Sequence, residues 1–294
     1  GFMFALIKVA ENTYYIQNPS KIGIYVEPDG SATVIDAGMG DSAGERVVKI
    51  LDKNGWKCAR IINTHAHVDH VGGDRAIIAA TGVSAYVPEP EIYTGHNPFM
   101  EPSAMYGGYP FDRVRERYGE PHIAPVKGLG ELELPAGFAI ERLDGHCGAM
   151  AAIKTPDDVW FVGDAVIDPV YLEGHGIAYN WNIAETLDSI EKLKTLKGRL
   201  FVPSHTEPVE DIVPLADVNR HYILAAIEWI RSNCGTPRSV DELTATFFTH
   251  WDKKPLSDTW TVAAATVRSM LTYLHDRGEV EIVFVNNIMK WLAK

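Results

Sequence analysis

An α/β fold is what this sequence predicts, and three observations predict it. Short runs rich in valine and isoleucine, such as Ile22 to Val26 and Thr33 to Ile35, alternate with segments whose apolar residues recur at helical spacing. Several of the apolar runs end in a histidine or an aspartate beside a glycine or turn. At 294 residues the chain exceeds the usual single-domain size, and its text changes near Asp211, beyond which helical patterns dominate.

In chain order, Gly1 to Lys8 reads as a first strand; it lacks the cationic start, long apolar core and cleavage site of a signal peptide. Thr13 to Gln17, Ile22 to Val26 and Thr33 to Ile35 are strands, with a turn at Pro28-Asp29-Gly30. Ser42 to Asn54 is a helix with Val47, Val48, Ile50 and Leu51 at helical spacing, stopped by Gly55. Ala59 to Asn63 is a buried strand, and Asp74 to Thr81 opens a helix. Between Val87 and Lys127 the pattern breaks at Pro88, Pro90, Pro98, Pro102, Pro110, Pro121 and Pro125, with Tyr106, Tyr109 and other aromatics interleaved. Such a stretch reads as a lid-like insertion over residues 88–127, with a packing arm or a homodimer contact as the other readings. Within it Arg113, Arg115 and Arg117 read as a solvated helix face rather than an anion site. Ile153 to Val162 is a hairpin around Thr155-Pro156-Asp157-Asp158, and Ile183 to Leu196 a helix leading into the strand at Phe201. The loop from Asp168 to Trp181 offers Tyr171, His175, Tyr179 and Trp181 as a second pocket wall.

The densest chemistry lies in Thr64-His65-Ala66-His67-Val68-Asp69-His70. Three histidines and an aspartate within six residues are hard to explain as packing, because each buried imidazole or carboxylate would need its own partner. Imidazole and carboxylate are ordinary ligands of zinc and related divalent metals, and a loop at a strand end lets them converge on an ion. His65 and His67 fall on one side, with Asp69 and His70 free to swing toward a second position.

This stretch resembles the H-x-H-x-D-H signature of the metallo-β-lactamase superfamily. The later positions of that pattern are matched by Leu143-Asp144-Gly145-His146, by Phe161-Val162-Gly163-Asp164 and by Phe201-Val202-Pro203-Ser204-His205. Val34-Ile35-Asp36-Ala37-Gly38 is similar to the family's upstream Asp-x-Gly. The resemblance covers residues 1 to about 210 and implies a four-layer αββα sandwich. It further implies one metal on His65, His67 and His146, a second on Asp69, His70 and His205, and Asp164 bridging them. Asp36 would hold the ligand loop, and Asp69 would orient the attacking water and accept its proton. The implied cofactors are two divalent metal ions, zinc by default, with iron or manganese fitting the same nitrogen and oxygen donors. The implied reaction is attack by a metal-bridging hydroxide on a small ester, thioester or lactone.

An aspartate at position 164 points to the glyoxalase II-like, lactonase-like and nuclease-like branches and away from true β-lactamases. Lactonases usually place a tyrosine soon after it; here Ala165-Val166-Ile167-Asp168-Pro169 follows and the first tyrosine is Tyr171. The histidine of the second motif is commonly followed by Thr or Ser and then Pro-Gly. This chain has His146-Cys147-Gly148-Ala149, with Cys147 read as a packing thiol.

Residues 211–294 read as helix, helix, helix and hairpin: Arg220 to Asn233, a helix opened by the capping box Ser239-Val240-Asp241-Glu242, Thr261 to Asp276, then strands around Asn286-Asn287. That order resembles a winged helix, which raises metal-dependent nuclease, phosphodiesterase or a non-enzymatic nucleic-acid-binding module as rivals. Charge opposes them. The chain carries 27 Lys and Arg against 39 Asp and Glu, a net of −12, and residues 211–294 hold nine basic and ten acidic groups. The partner expected is therefore a small molecule. Three cysteines with no framework spacing point to a reducing cytoplasm, and no apolar run is long enough to span a bilayer.

Overall fold

The computed structural model describes residues 3–97, 99–119 and 125–294. Gly1 of the expected first strand, and Pro98 and Pro121 of the proline-rich stretch, lie outside the described residues. The first half of the chain builds one sheet whose spatial order follows the sequence. Strands β1 (Leu6–Lys8), β2 (Thr13–Ile16), β3 (Ile22–Val26) and β4 (Ser31–Ile35) pair antiparallel through tight turns. Helix α1 (Gly40–Lys53) then crosses over, so β5 (Lys57–Ile62) runs parallel to β4. After α2 (Val68–Val71) and α3 (Asp74–Thr81), β6 (Ala85–Val87) continues the parallel series. Helices α4 (Ile92–His96), α5 (Met100–Tyr106) and α6 (Asp112–Tyr118) precede the short edge strand β7 (Lys127–Gly128).

The second sheet has the order β11-β10-β9-β8. Strands β8 (Ala139–Arg142) and β9 (Ala151–Lys154) are antiparallel, as are β9 and β10 (Val159–Phe161). Helices α7 (Pro169–His175) and α8 (Ile183–Thr195) separate β10 from its parallel neighbour β11 (Leu200–Val202). The two sheets face each other across a core of Tyr15, Tyr25, Ile35, Ile62, Ile153 and Phe161. Gly23 is required there: a Cβ on it would lie 2.6 Å from the Phe161 ring of the opposite sheet. The outer face of the first sheet is covered by α1 and α3 through Val47, Leu51 and Ile77. Each such fully buried aliphatic side chain contributes roughly 1.5–3 kcal/mol. With α8 on the outer face of the second sheet, the layers are helix, sheet, sheet, helix.

This topology decides where a site forms. Strands β4, β5 and β6 are parallel, so the loops that follow them leave at one edge of the first sheet. Parallel β10 and β11 likewise end together, and antiparallel β9 begins at that same end. The two edges meet where Ala151 N donates to Thr64 O at 2.8 Å.

The tail consists of α9 (Val213–Ser232), α10 (Val240–His250), α11 (Ser257–Asp276) and a hairpin of β12 (Val280–Val285) and β13 (Ile288–Ala293). The capping box at Ser239 forms, its hydroxyl accepting from Glu242 N and Glu242 accepting from Ser239 N. Asn286 and Asn287 both take positive φ, +52° and +62°, as a two-residue turn with the right twist for a hairpin demands. The tail's apolar residues join those over the second sheet in one cluster running from Leu143 to Trp291.

Three expectations are corrected. The stretch over 88–127 carries three short helices rather than being irregular throughout; among the described prolines, Pro102 falls in the first turn of α5, and Pro88, Pro90, Pro110 and Pro125 lie outside the helices. Asp69 and His70 sit on the short helix α2 rather than in a loop. Arg113 and Arg117 do not form a purely solvated face: Arg113 Nε and Arg117 Nη1 donate to the two oxygens of buried Asp258 on α11, at 3.1 and 2.7 Å.

Candidate metal centre

The structure brings the histidines and aspartates of the four motifs together at the joined sheet edges. Their donor atoms form two groups, His65, His67, His146 and Asp164 in one, Asp69, His70 and His205 in the other, each group within 4.8 Å. Asp164 faces both. Its Oδ2 lies 3.2 Å from His146 Nε2 and 3.8 Å from His65 Nε2; its Oδ1 lies 3.4 Å from both His70 Nε2 and His205 Nε2. Asp69 Oδ2 completes the second group at 3.3 Å from His70 Nε2 and 3.2 Å from His205 Nε2.

In four of the five histidines, all but His67, the ligand-facing nitrogen is set by what the other ring nitrogen does. His146 Nδ1 donates to the Tyr179 carbonyl at 3.0 Å, leaving its Nε2 with the lone pair, and His205 Nδ1 donates to the Pro19 carbonyl at 2.7 Å, which turns its Nε2 toward the centre. His70 Nδ1 donates to Asp36 Oδ2 at 3.0 Å. His65 Nδ1 meets Thr64 Oγ1 at 3.0 Å, and that hydroxyl itself donates to Asp36 Oδ2, so the imidazole is the donor and its Nε2 is the acceptor. Asp36 thus secures one histidine of each group, and its Oδ1 also accepts from Thr64 N at 2.7 Å. It does so from a left-handed backbone, φ +60°, which aspartate tolerates better than most residues.

Electrostatics separates the two groups. Burial, helped by neighbouring imidazoles, pushes His65 well below the usual histidine range and His67 down to about 3. Both are neutral and present lone pairs, as metal ligation needs. Burial also opposes charge on His70, but Asp69, Asp164 and Asp36 outweigh it and hold the group well above its ordinary value. Asp164 raises His205 to about 10. Reciprocally, burial is overcome at Asp69 and Asp164, which the nearby histidines hold well below the carboxylate range.

These donors fit divalent cations. Among the described residues, His65 Nε2 and Asp164 Oδ1 are buried with no hydrogen-bond partner, an arrangement that costs free energy unless an ion completes it. Donor separations of 3.2–3.8 Å around Asp164 suit ligands held at about 2.0–2.2 Å from a common ion.

The aromatic residues divide between two clefts. Tyr106, Tyr179 and Trp181 line one of about 720 Å³ against α11. Tyr171, His175 and Tyr179 line another of about 350 Å³. Tyr179 belongs to both, with its ring 5.9 Å from His67 and 5.8 Å from His146. Tyr109 lines neither; it is exposed, with the Arg115 guanidinium 5.1 Å over its ring. Cys147 is a packing thiol, buried and pushed well above the usual thiol range by burial, with Sγ donating to Ala149 O.

Two buried acids beside the centre escaped the sequence reading. Glu91 and Glu101 come from the insertion, and burial raises the pKa of both. Nothing in their spacing singles them out. They are two of six carboxylates in residues 88–127, and no local signal separates them from the other four.

Comparison with known proteins agrees with this geometry. The sequence model described as the metallo-beta-lactamase superfamily matches residues 23–205. A hydroxyacylglutathione hydrolase from Methylococcus capsulatus is 41% identical over 182 residues, which is 60% of this chain and 57% of that protein. The chain therefore spans little more than half the length of such curated relatives. A beta-lactamase domain protein from Burkholderia ambifaria has the same fold, with a TM-score of 0.73 at 18% identity over 99% of this chain and 94% of that one. A metallo-beta-lactamase family protein from Thermus thermophilus superposes with a TM-score of 0.71 at 18% identity, over 100% and 98% of the two chains.

Proposed function

The chain belongs to the metallo-beta-lactamase superfamily and is a hydrolase of that family, and we propose that it cleaves a small thioester, ester or lactone at a dinuclear metal centre. The observation that carries this reading is Asp164, whose two oxygens face the two histidine groups separately. His65, His67 and His146 would hold one ion, Asp69, His70 and His205 the other, with Asp164 between. Bound there, two divalent cations, zinc by default, supply Lewis acidity and a water of lowered pKa. The chain's own residues do the rest. In this reading Asp69, whose side chain is 32% exposed, would orient the attacking water and accept its proton. Tyr179 lines both clefts, which would seat the acyl group and its leaving group. Resemblance to hydroxyacylglutathione hydrolases favours a thioester among the three.

We read residues 1–210 as the catalytic domain, with 88–127 as its lid, and 211–294 as a winged-helix-like packing element rather than a nucleic-acid reader. The net charge of −12 supports that choice over a nuclease. The free cysteines Cys58, Cys147 and Cys234 suit a reducing compartment, and no helix among the described residues is long and apolar enough to cross a membrane.

The test is a hydrolysis panel of a thioester, a lactone, a β-lactam, a phosphodiester and a short RNA, run beside metal analysis. Thioester or lactone turnover is expected, with two metal equivalents per chain in the native protein and a sharp fall in Asp164→Ala. Cleavage of RNA alone, or full activity without metal, overturns the reading.

A further inference from the structure

Glu91 and Glu101 are only 6% and 8% exposed, and each directs its carboxyl out of the insertion onto the backbone of a ligand-bearing segment. Glu101 Oε2, on α5, accepts from Val68 N at 3.2 Å. Val68 stands between His67 and Asp69, ligands of different groups. Glu91 Oε1 accepts from Ala149 N at 3.3 Å, three residues beyond His146.

Glu91 also accounts for the departure at His146-Cys147-Gly148-Ala149. A Cβ at Gly148 would lie 2.8 Å from Glu91 Oε1, so the space that a side chain would occupy is held by the carboxyl. A proline at that position, as the superfamily pattern commonly has, would set its ring against the same oxygen and stiffen the turn by itself. Here the turn is a flexible glycine, and the bond to Glu91 supplies the restraint from outside.

We propose that Glu91 and Glu101 are positioning residues for the metal centre: the insertion clamps the His67–Asp69 segment and the His146 loop at once, so that metal affinity depends on its docking. This rests on the dinuclear reading above. Neither residue touches a metal in this scheme; each acts through the backbone that aims the ligands. Partners of ligands typically cost 10- to 100-fold in metal affinity when removed.

The experiment measures zinc affinity by chelator competition, together with the melting temperature of the metal-stripped protein, for alanine, glutamine and aspartate variants at both positions. Glu91→Ala and Glu101→Ala are expected to bind zinc about 10- to 100-fold more weakly. Glutamine keeps an acceptor oxygen at the same reach and is expected to restore affinity to within a few-fold of native. Aspartate withdraws the oxygen by one methylene and decides the matter where an alanine variant does not fold; it is expected to weaken binding. A lower melting temperature with unchanged zinc affinity in the alanine or aspartate variants makes the glutamates mere packing and overturns the proposal. Native protein that binds no zinc overturns the metal reading itself, a result distinct from native binding that the variants leave untouched.

Discussion

A histidine becomes a ligand when its second nitrogen is committed elsewhere, and here that commitment is made largely by backbone carbonyls and by one carboxylate. Asp36 illustrates the economy, since a single side chain holds the Thr64 amide, the Thr64 hydroxyl and His70. Behind it lies a different acid. Asp74 is fully buried, its Oδ2 accepts from Asn63 Nδ2 at 2.7 Å, and Asp74 Oδ1 and Asn63 Oδ1 are both without a partner. A proton on the carboxyl removes an unpaired buried charge and turns one of its oxygens into a donor. Burial first, and the Asp36 charge after it, hold Asp74 well above the carboxylate range, which favours that neutral form. The sign follows. The folded state keeps this proton more tightly than the unfolded chain, so stability falls as pH rises from about 3.9 through Asp74's raised value. Asp74→Asn replaces the acid with a permanently neutral amide able to pair with Asn63. Its melting temperature should exceed the native value at pH 7 to 8 and lose that advantage toward pH 4, at roughly 2–4 °C per kcal/mol. A pH series of melts on both proteins, compared by difference, checks it; an advantage independent of pH would mean that Asp74 is already ionised in the fold.

At the scale of elements, the sequence discloses whatever is set locally. The strand ends that carry Asp36, His65, Asp164 and His205, the capping box at Ser239 and the Asn286-Asn287 turn are all legible because propensity, periodicity and turn chemistry agree there. The metal ligands were legible for a second reason: that many histidines and aspartates at strand ends have no competing explanation in packing. What stayed hidden depends on contacts distant in sequence. Helix α2 is a single turn, too short for any periodicity to show. The fork of Arg113 and Arg117 on Asp258 joins residues more than 140 positions apart. Glu91 and Glu101 look like surface acids until the insertion folds down. The Asp258 fork ties α6 to α11 and so joins the tail to the insertion. Asp258 is 1% exposed while the two arginines are about half exposed, 54% and 52%, and rehydrate readily when their partner goes. Asp258→Ala should therefore cost about 1.5–3 kcal/mol, the range for hydrogen bonds to charged groups, rather than the larger penalty of a stranded buried charge. Limited proteolysis should show earlier cleavage within residues 88–127, and an unchanged cleavage pattern would assign the docking to apolar contacts alone.

For the molecule as a whole, the governing facts are a formal net charge of −12 and a cleft that the tail helps to build. A protein this acidic repels anions at long range, so an anionic leaving group needs a local cation to be accepted. The larger cleft has one in Arg268, exposed on α11, across from Tyr106 and the Tyr179–Trp181 segment next to His146. Arg277 also lines it, but its Nε is spent on Glu279 at 3.0 Å and its guanidinium lies 5.2 Å from the Tyr273 ring. Arg268, for which no such bond occurs among the described residues, thus has more spare donors than Arg277. An exposed pair is worth about 0.2–1 kcal/mol, which converts to at most about a fivefold change in affinity. For two thioesters sharing an acyl group, one with a carboxylate on the thiol and one neutral, Arg268→Ala should raise KM for the first by about two- to fivefold. Its kcat should stay unchanged, and so should both constants for the neutral compound, because the interaction is equal in ground and transition states. Added salt should erase the difference between native and variant enzyme, since screening at 0.15 M already shortens the reach of an exposed charge to about 8 Å. Equal effects on both thioesters would place Arg268 in the packing of α11 instead, and would leave the smaller cleft, with Lys253 and Lys254 at its rim, as the seat of the anionic arm.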